Sequence, residues 1–451
     1  MKLSEIQSTL REIRVSPVKT LGQNFLHDQN ISRRIVEQAE VAADDYVVEI
    51  GPGLGALTEV ALASGARVLG IEKDARLVEF LRGRFRTDRF EVIHADALAF
   101  DVRTLFAQPR VKLIGNLPYN IASQLLLKYL EYPSPISLWL FMLQKEMAER
   151  FSAQPSTKDY GALTLQIQFH CQVKYLRTVR ASVFIPKPEV DSAIILAKPR
   201  DPSEIPGCDY RLFVELVRLG FSQRRKQLGK LLREVIADWD SAAASLALDP
   251  KTRAEALSLA QWVALTNFVR PEPIPDRKKL DAEWFPVVDR SDTVLHSAQR
   301  RQVHGDNLRH RAVHILIFND LGEVFLQKRS RWKDRHPLQW DSSAAGHVNA
   351  GEGYDVAAAR ELEEELGIRV GLQKITKLPA SERTGQEFIW LYRGQHDGDF
   401  RLDRGEIETG KFFPTDLITA WISARPGDFA PGFIECWKAY RAGAVAISAS
   451  S

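Results

Sequence analysis

The sequence predicts two domains of different class: an α/β domain with a parallel, doubly wound sheet and a small helical subdomain, then an α+β domain. Three observations carry this expectation. A length of 451 residues exceeds what one ordinary core organises. Before residue 200, short β-branched runs alternate with segments of helical spacing. After Arg270 to Lys279 (RPEPIPDRKK), a stretch of linker composition, the pattern changes to strands joined by hairpin residues around one helix.

The elements follow in order. Tyr46 to Ile50 is a short β-branched strand, Gly51-Pro52-Gly53-Leu54-Gly55 is a turn, and Leu57 to Ala63 has helical spacing. Val68 to Ile71 is the second strand, ending in Glu72. Apolar runs at Phe90–Ile93, Val111–Ile114 and Leu138–Leu143 continue the alternation that a parallel sheet requires. From Asp209 to Leu265 the pattern is helical, over Tyr210–Ile236, Ser241–Leu246 and Arg253–Leu265. In the second half, strands at Ala312–Phe318 and Val324–Gln327 flank the turn Asn319-Asp320-Leu321-Gly322. A helix from Asp355 to Leu366 and a strand at Phe388–Tyr392 follow. The expected boundaries are 1–270 (core about 20–200, helical subdomain about 209–270), a linker at 271–283, and 284–451.

Composition excludes several classes. With 45% hydrophobic and 26% charged residues the chain is globular, and no apolar run is long enough to span a bilayer. Three scattered cysteines, Cys171, Cys208 and Cys436, make neither a disulfide framework nor a zinc spacing, which fits a reducing cytoplasm. Residues 276–451 hold 25 Lys/Arg against 26 Asp/Glu, whereas the first 275 hold 36 against 32. The excess in the first half is concentrated at Arg218, Arg224, Arg225, Lys226, Lys230 and Arg233. Such a run is a solvated helix face unless the domain handles nucleic acid, in which case it contacts phosphate.

A glycine-rich turn between strand and helix, with an acid about twenty residues on, is how open α/β sheets hold a nucleotide-like ligand. Glycines admit close backbone approach, and Glu72 can take two ribose hydroxyls; the same turn also serves as a tight connection. Asn116-Leu117-Pro118-Tyr119 directly follows the strand Val111–Ile114. Methylating an exocyclic amine requires its lone pair to face a sulfonium methyl group. The Asn116 amide oxygen and the Leu117 carbonyl can accept the two amine hydrogens, Pro118 stiffens the turn, and Tyr119 offers a ring to an unstacked base.

Over about residues 15–270 the sequence resembles the small-subunit (16S) ribosomal RNA adenine dimethyltransferases. The matching segments are 21–26 (LGQNFL), 49–55 (EIGPGLG), 96–98 (DAL), 116–121 (NLPYNI), 183–192 (VFIPKPEVDS) and 221–226 (FSQRRK). The resemblance implies a Rossmann-like fold, S-adenosyl-L-methionine as cofactor, the small ribosomal subunit as partner and a monomeric methyltransferase half. It implies that Asn24, Leu26, Gly51, Gly53, Glu72, Asp96 and Asn116 line the cofactor site. It further implies that Phe184 walls the target adenine and that Arg224, Arg225 and Lys226 contact RNA. On the residues alone Phe184 is equally a core aromatic, and Asp96 a helix N-cap. Erythromycin-resistance relatives, which modify the large subunit, share the core motifs, and a non-catalytic assembly role is the other alternative.

In the second half, Gly346-x5-Glu352-x7-Arg360-Glu361-Leu362-x-Glu364-Glu365-x-Gly367-Ile368 matches the Nudix box at every defined position. Glu361, Glu364 and Glu365 stand at i, i+3 and i+4, so three carboxylates share one helix face. Oxygen ligands so arranged suit Mg²⁺ or Mn²⁺ on a diphosphate, with Glu364 and Glu365 as catalytic candidates. Arg360 can brace a box carboxylate. Over about residues 284–440 the chain is also similar to the isopentenyl-diphosphate isomerase branch of that superfamily, at Leu308 to Ala312, Gln327 to Arg329, Trp340-Asp341 and Gly346-His347. Ala345 stands where the isomerase has its catalytic cysteine. His304, His310, His347 and Glu387 match its metal-binding positions, and Gly385 replaces a second glutamate. The expectation is therefore a hydrolase on an isomerase-like frame, the histidines being structural or supporting. Nucleotide or RNA binding and residual isomerase activity are the alternatives.

Overall fold

A computed structural model of the chain describes residues 3–15, 23–117, 121–130, 133–201, 203–204 and 207–448. It divides into two units, Met1–Glu272 and Pro273–Ser451. The first contains strands β1 (Phe25–Leu26), β2 (Tyr46–Ile50), β3 (Arg67–Glu72), β4 (Phe90–His94), β5 (Val111–Asn116), β6 (Ile136–Gln144), β7 (Cys171–Val179), β8 (Phe184–Ile185) and β9 (Ser192–Pro199). Seven form one sheet in the order β4-β3-β2-β5-β6-β9-β7. Val48 packs into one core cluster and Val47 into another, so β2 is buried on both faces, as its unbroken apolar run requires.

The five strands expected from the sequence, β2 to β6, form the parallel part of the sheet, and β7 and β9 extend it without a sequence expectation. Pairings from β4 through β6 are parallel, but β9 runs antiparallel to both β6 and β7. Between β7 and β9 lie only a three-residue 3-10 turn, β8 and loop, which is too little for the helical crossover that a parallel pair needs.

The helical subdomain closes around the fully buried Trp262. Its expected helix Tyr210–Ile236 is broken into Tyr210–Gly220 and Leu228–Leu232. Tertiary packing decides this. Leu212, Leu216, Leu228 and Leu232 all enter the same core, and a straight helix would carry the second pair about 24 Å beyond the first. At the break, a Cβ on Gly220 would lie 2.5 Å from the Trp262 ring. The expected helix Arg253–Leu265 is also displaced. A 3-10 turn, Ala254–Ala256, precedes helix Leu259–Val269, which starts at a Ser258/Gln261 capping box.

The second unit adds β10 (Trp284–Val288), β11 (Val294–Gln299), β12 (His310–Phe318), β13 (Val324–Arg329), β14 (Trp340–Asp341), β15 (Ala344–His347), β16 (Gln373–Leu378), β17 (Glu387–Gln395) and β18 (Ile407–Phe413). The sheet runs β14-β13-β12-β17-β16, with β15 on β12 and β18 on β13, while β10 and β11 form a separate hairpin. Helix Tyr354–Leu366 lays Leu362 and Leu366 on the core and ends at Gly367 with φ +68°, a left-handed position suited to glycine. The segment expected as linker holds a short helix, Arg277–Asp281, started by the Asp276 side chain. Two C-terminal helices, Thr415–Ala424 and Pro431–Ser448, had no sequence expectation. Among the described residues no helix is long and apolar enough to cross a membrane.

Candidate active sites

In the first unit the carboxyl ends of β2, β3 and β5 open onto one cleft. Asn24, Leu26, Gly51, Gly53, Glu72, Asp96 and Asn116 all line it. Gly51, Gly53 and Gly55 hold φ of +64°, +59° and +81°, so the turn after β2 needs glycine at each. A Cβ on Gly53 would also press to 3.2 Å from the Phe25 ring. Glu72 is held by three backbone N–H groups, those of Gly53 (3.1 Å), Lys73 (2.9 Å) and Asp74 (3.0 Å). Burial still raises its pKa.

Asp96 does two things at once. One oxygen accepts the Leu98 N–H at 2.9 Å, a local cap, and the other pairs with Lys73 Nζ at 2.7 Å. The lysine hydrogen bond lowers its pKa. At the end of β5, Asn116 Nδ2 donates to the Asn24 carbonyl at 2.9 Å. A carbonyl only accepts, so this contact fixes the amide orientation and turns Oδ1 away from it. Leu117, buried at 1%, is tied to β6 through its N–H on Met142 O at 3.1 Å.

Pro118, Tyr119 and Asn120, like Leu21 and Gly22, lie outside the described residues. Phe184 is paired with Leu26 across β8 and β1, but at 3% exposure it packs into the core and does not line the cleft. Arg224, Arg225 and Lys226 are exposed in the turn between two helices, not on a helix face. Arg224 is anchored there, donating to Lys158 O at 2.5 Å and lying 3.7 Å from Glu255, whereas among the described residues the side chains of Arg225 and Lys226 make no such contact.

Sequence reasoning passed over Glu49 as a site residue. It lines the cleft beneath the glycine turn, buried at 2% and bonded by Thr58 Oγ1 at 2.5 Å. Burial pushes its pKa up to about 7. An acid within a β-branched strand was the available signal.

In the second unit Glu361, Glu364 and Glu365 line one cavity of about 370 Å³. Arg360 organises them, donating to Glu352 (2.9 Å), Glu361 (2.7 Å) and Glu364 (2.9 Å). Its remaining nitrogen holds the His347 carbonyl at 2.9 Å. Glu365 accepts from Ala345 N and Gln327 Nε2, both at 3.0 Å. Burial raises the pKa of Glu361 and Glu365, with repulsion from Glu364 on the first and from Glu361 and Glu406 on the second, against the lowering pull of Arg360 and Lys333; Glu364 is more open, with 58% of its side chain exposed. Gly346 makes room for Glu361, because a Cβ there would stand 2.0 Å from the carboxyl carbon. Gly346→Ala is therefore expected to displace Glu361 and lower divalent-dependent turnover by about 10²-fold. Circular dichroism should show the fold retained.

The same cavity gathers histidines. Ligand nitrogens of His304, His310 and His347 all lie within 4.8 Å of one another. Glu387 Oε1 stands 3.5 Å from His310 Nε2 and 3.4 Å from His347 Nε2. Burial works to raise Glu387, but hydrogen bonding with His310 and His347 outweighs it and holds the carboxyl well below the ordinary value. Burial lowers His347 to about 3. His310 turns Nδ1 to the Leu308 carbonyl at 2.8 Å, and its buried Nε2 faces Glu387 and the cluster. Three nitrogens and a carboxylate suit a borderline transition ion, whereas the three glutamates suit a hard one. Lys333, Asp334, Glu406 and His314 line the cavity too, and no motif marked them.

Sheet order, glycine turn and Glu72 define the first unit as a Rossmann-like methyltransferase fold, and the carboxylate helix after Gly346 defines the second as a Nudix fold. Residues 17–270 match the family model described as ribosomal RNA adenine dimethylase, and residues 308–431 match that of the NUDIX domain. The chain belongs to the ribosomal RNA adenine dimethylase family, with a NUDIX domain in its second unit, and it is an enzyme. It is 40% identical over 256 residues to a "Ribosomal RNA small subunit methyltransferase A" of Francisella tularensis, covering 56% of this chain and 97% of the relative. The Chlorobium phaeobacteroides protein of that name is 42% identical over 255 residues, covering 56% and 94%. Among solved structures, a dimethyladenosine transferase from Plasmodium falciparum superposes with a TM-score of 0.46 at 24% identity, covering 53% of this chain and 95% of that one. DR0079 from Deinococcus radiodurans gives 0.29 at 24%, covering 32% and 90%.

Proposed function

We propose that the first unit dimethylates two adjacent adenosines in a small-subunit rRNA loop, and that the second hydrolyses a diphosphate with Mg²⁺ or Mn²⁺. The convergence of all seven expected cofactor residues on one cleft carries the first part, and the names of the relatives support the small subunit as target. S-adenosyl-L-methionine supplies the methyl group. Glu72 orients the ribose hydroxyls, Asp96 meets the adenine edge, and the bare backbone at Gly51 and Gly53 admits the cofactor closely. Asn116 Oδ1 and the Leu117 carbonyl accept the hydrogens of the target amine and aim its lone pair; Tyr119 offers the base a stacking face. Labelled S-adenosylmethionine with under-methylated small subunits is expected to yield labelled dimethyladenosine in small-subunit RNA. Label confined to the large subunit, or none at all, would refute the reading.

Arg225 and Lys226, exposed and without a partner among the described residues, serve as phosphate contacts. Replacing both with alanine is expected to flatten the plot of log affinity against log salt by about 1.4–1.8, near 0.7–0.9 per phosphate. Arg224→Ala should chiefly lower stability, since that side chain holds Lys158 O. Filter binding across a salt series measures both.

In the second unit the box carboxylates hold the divalent ion and Arg360 keeps them aligned. Ala345, a methyl where the resembling isomerase has a thiol, leaves no proton donor there, which favours hydrolysis over isomerisation. The gathering of His304, His310 and His347 beside the Glu387 carboxylate favours a second ion there.

A further inference from the structure

His314 lies outside the Nudix box and outside the three-histidine cluster. It projects from β12 directly opposite Ala345 on β15, in the antiparallel register His314↔Ala345. Side chains paired in this way share a face of the sheet, and a methyl is too small to cover an imidazole edge. The ring lines the cavity although it is only 5% exposed. Its Nδ1 contacts Ser342 Oγ at 2.8 Å and stands 3.6 Å from Asp341 Oδ1. Among the described residues Nε2 makes no hydrogen bond. A Cβ added at Gly432 would lie 3.8 Å from Nε2 and Cε1, so the start of helix Pro431–Ser448 packs beside this edge without a polar side chain at that position.

The ring borders the cavity on one side and a set of polar partners on the other. Asp341 accepts the Ser342 N–H at 2.8 Å and Arg329 Nη1 at 2.8 Å, and it is buried at 2%. A carboxylate facing Nδ1 favours the tautomer with the proton on Nδ1, donated toward Ser342 Oγ, which leaves the lone pair on Nε2. The cavity thus receives a fixed, desolvated acceptor, one strand from the backbone N–H that anchors Glu365. A buried, oriented histidine with a carboxylate behind it and an open nitrogen in front is the arrangement of a general base.

We propose that His314 is the proton acceptor for the attacking water in the second unit; this rests on the diphosphate-hydrolase reading above. As the water oxygen bonds to phosphorus, its proton passes to Nε2. The bond from phosphorus to the leaving oxygen breaks, and its electron pair departs with that oxygen. The imidazolium then returns the proton to solvent. Arg300, Lys333, Arg335 and Arg383 line the same cavity and match the anionic oxygens of a diphosphate. Asp341 and Ser342 are positioning residues that act only through the ring.

The test uses the full chain with Mg²⁺ and a probe panel of ADP-ribose, dinucleoside diphosphates and isopentenyl diphosphate, continuing with the probe that the wild type turns over fastest. His314→Ala is expected to lower kcat by about 10²–10⁴-fold with KM nearly unchanged. Added imidazole should restore much of that loss. His314→Gln, which keeps the shape but offers no comparable base, should stay slow. Ser342→Ala should lower kcat less while leaving the fold intact, and it keeps the question answerable if His314→Ala unfolds. Turnover by His314→Ala near the wild-type rate would overturn the proposal, as would a loss that His314→Gln repairs and imidazole does not. Failure of the parent reading looks different: either the wild type turns over no probe, which overturns both, or Glu364→Gln remains active while His314→Ala is dead, which overturns the carboxylate assignment alone.

Discussion

Asn116→Ala is expected to reduce dimethyladenosine formation by at least about 10²-fold, the usual consequence of removing one preorganised polar partner of a reacting group. The expectation follows from the amide's fixed orientation. Nδ2 is held by Asn24 O at 2.9 Å, so Oδ1 needs no reorganisation to receive an amine hydrogen. Asn116→Asp should be nearly as inactive, because a carboxylate oxygen would then face the Asn24 carbonyl, acceptor against acceptor. Glu72 and Asp96 remain in both variants, so S-adenosylmethionine affinity, read by calorimetry, should fall by no more than about 10-fold, or about 1.4 kcal/mol. Label incorporation equal to wild type in Asn116→Ala would remove the amide from the chemistry.

Glu365→Gln should separate activity from stability more sharply than any other change. Divalent-dependent diphosphate turnover is expected to fall by about 10³-fold, since the variant loses a ligand charge worth several kcal/mol in stabilising the transition state. The metal-free protein, in contrast, should melt higher. Glu365 is buried at 2%, and Glu361 and Glu406 both repel its charge. A glutamine keeps the shape and can still accept from Ala345 N, while shedding a buried charge whose burial is unfavourable. Glu364, with 58% of its side chain exposed, gives the control: Glu364→Gln should lose turnover with little change in melting. Calorimetric scans without metal and initial rates with Mg²⁺ measure the two effects. Unchanged turnover in both variants would sink the carboxylate assignment.

Much of the first unit was legible in the sequence. Strand Tyr46–Ile50 has the observed bounds, and the glycine turn needs its three positive φ values locally. The Nudix glutamates were legible for the same reason, since i, i+3 and i+4 define one face whatever surrounds the helix. The long helix from Tyr210 was misread because periodicity continues through the turn at 221–227. Both halves are amphipathic toward the same core, and nothing local says that the chain doubles back around Trp262. The edge strands β7 and β9 gave no comparable signal, and their direction depends on the short connection between them.

The sequence by itself determined the two domain classes, the cofactor turn, the amide at Asn116 and the carboxylate helix, because each depends on spacing within one element or one turn. Only the isomerase resemblance implied that His310, His347 and Glu387 would gather; tertiary structure decided how they meet, and it alone brought His314 to the same cavity. Those residues meet through strand register, His310↔Glu387 on one side of β12 and Ala312↔His347 on the other. Shifting either pairing by one residue would turn half of the cluster to the opposite face. Register is set by the whole packed sheet, so no local period announces it.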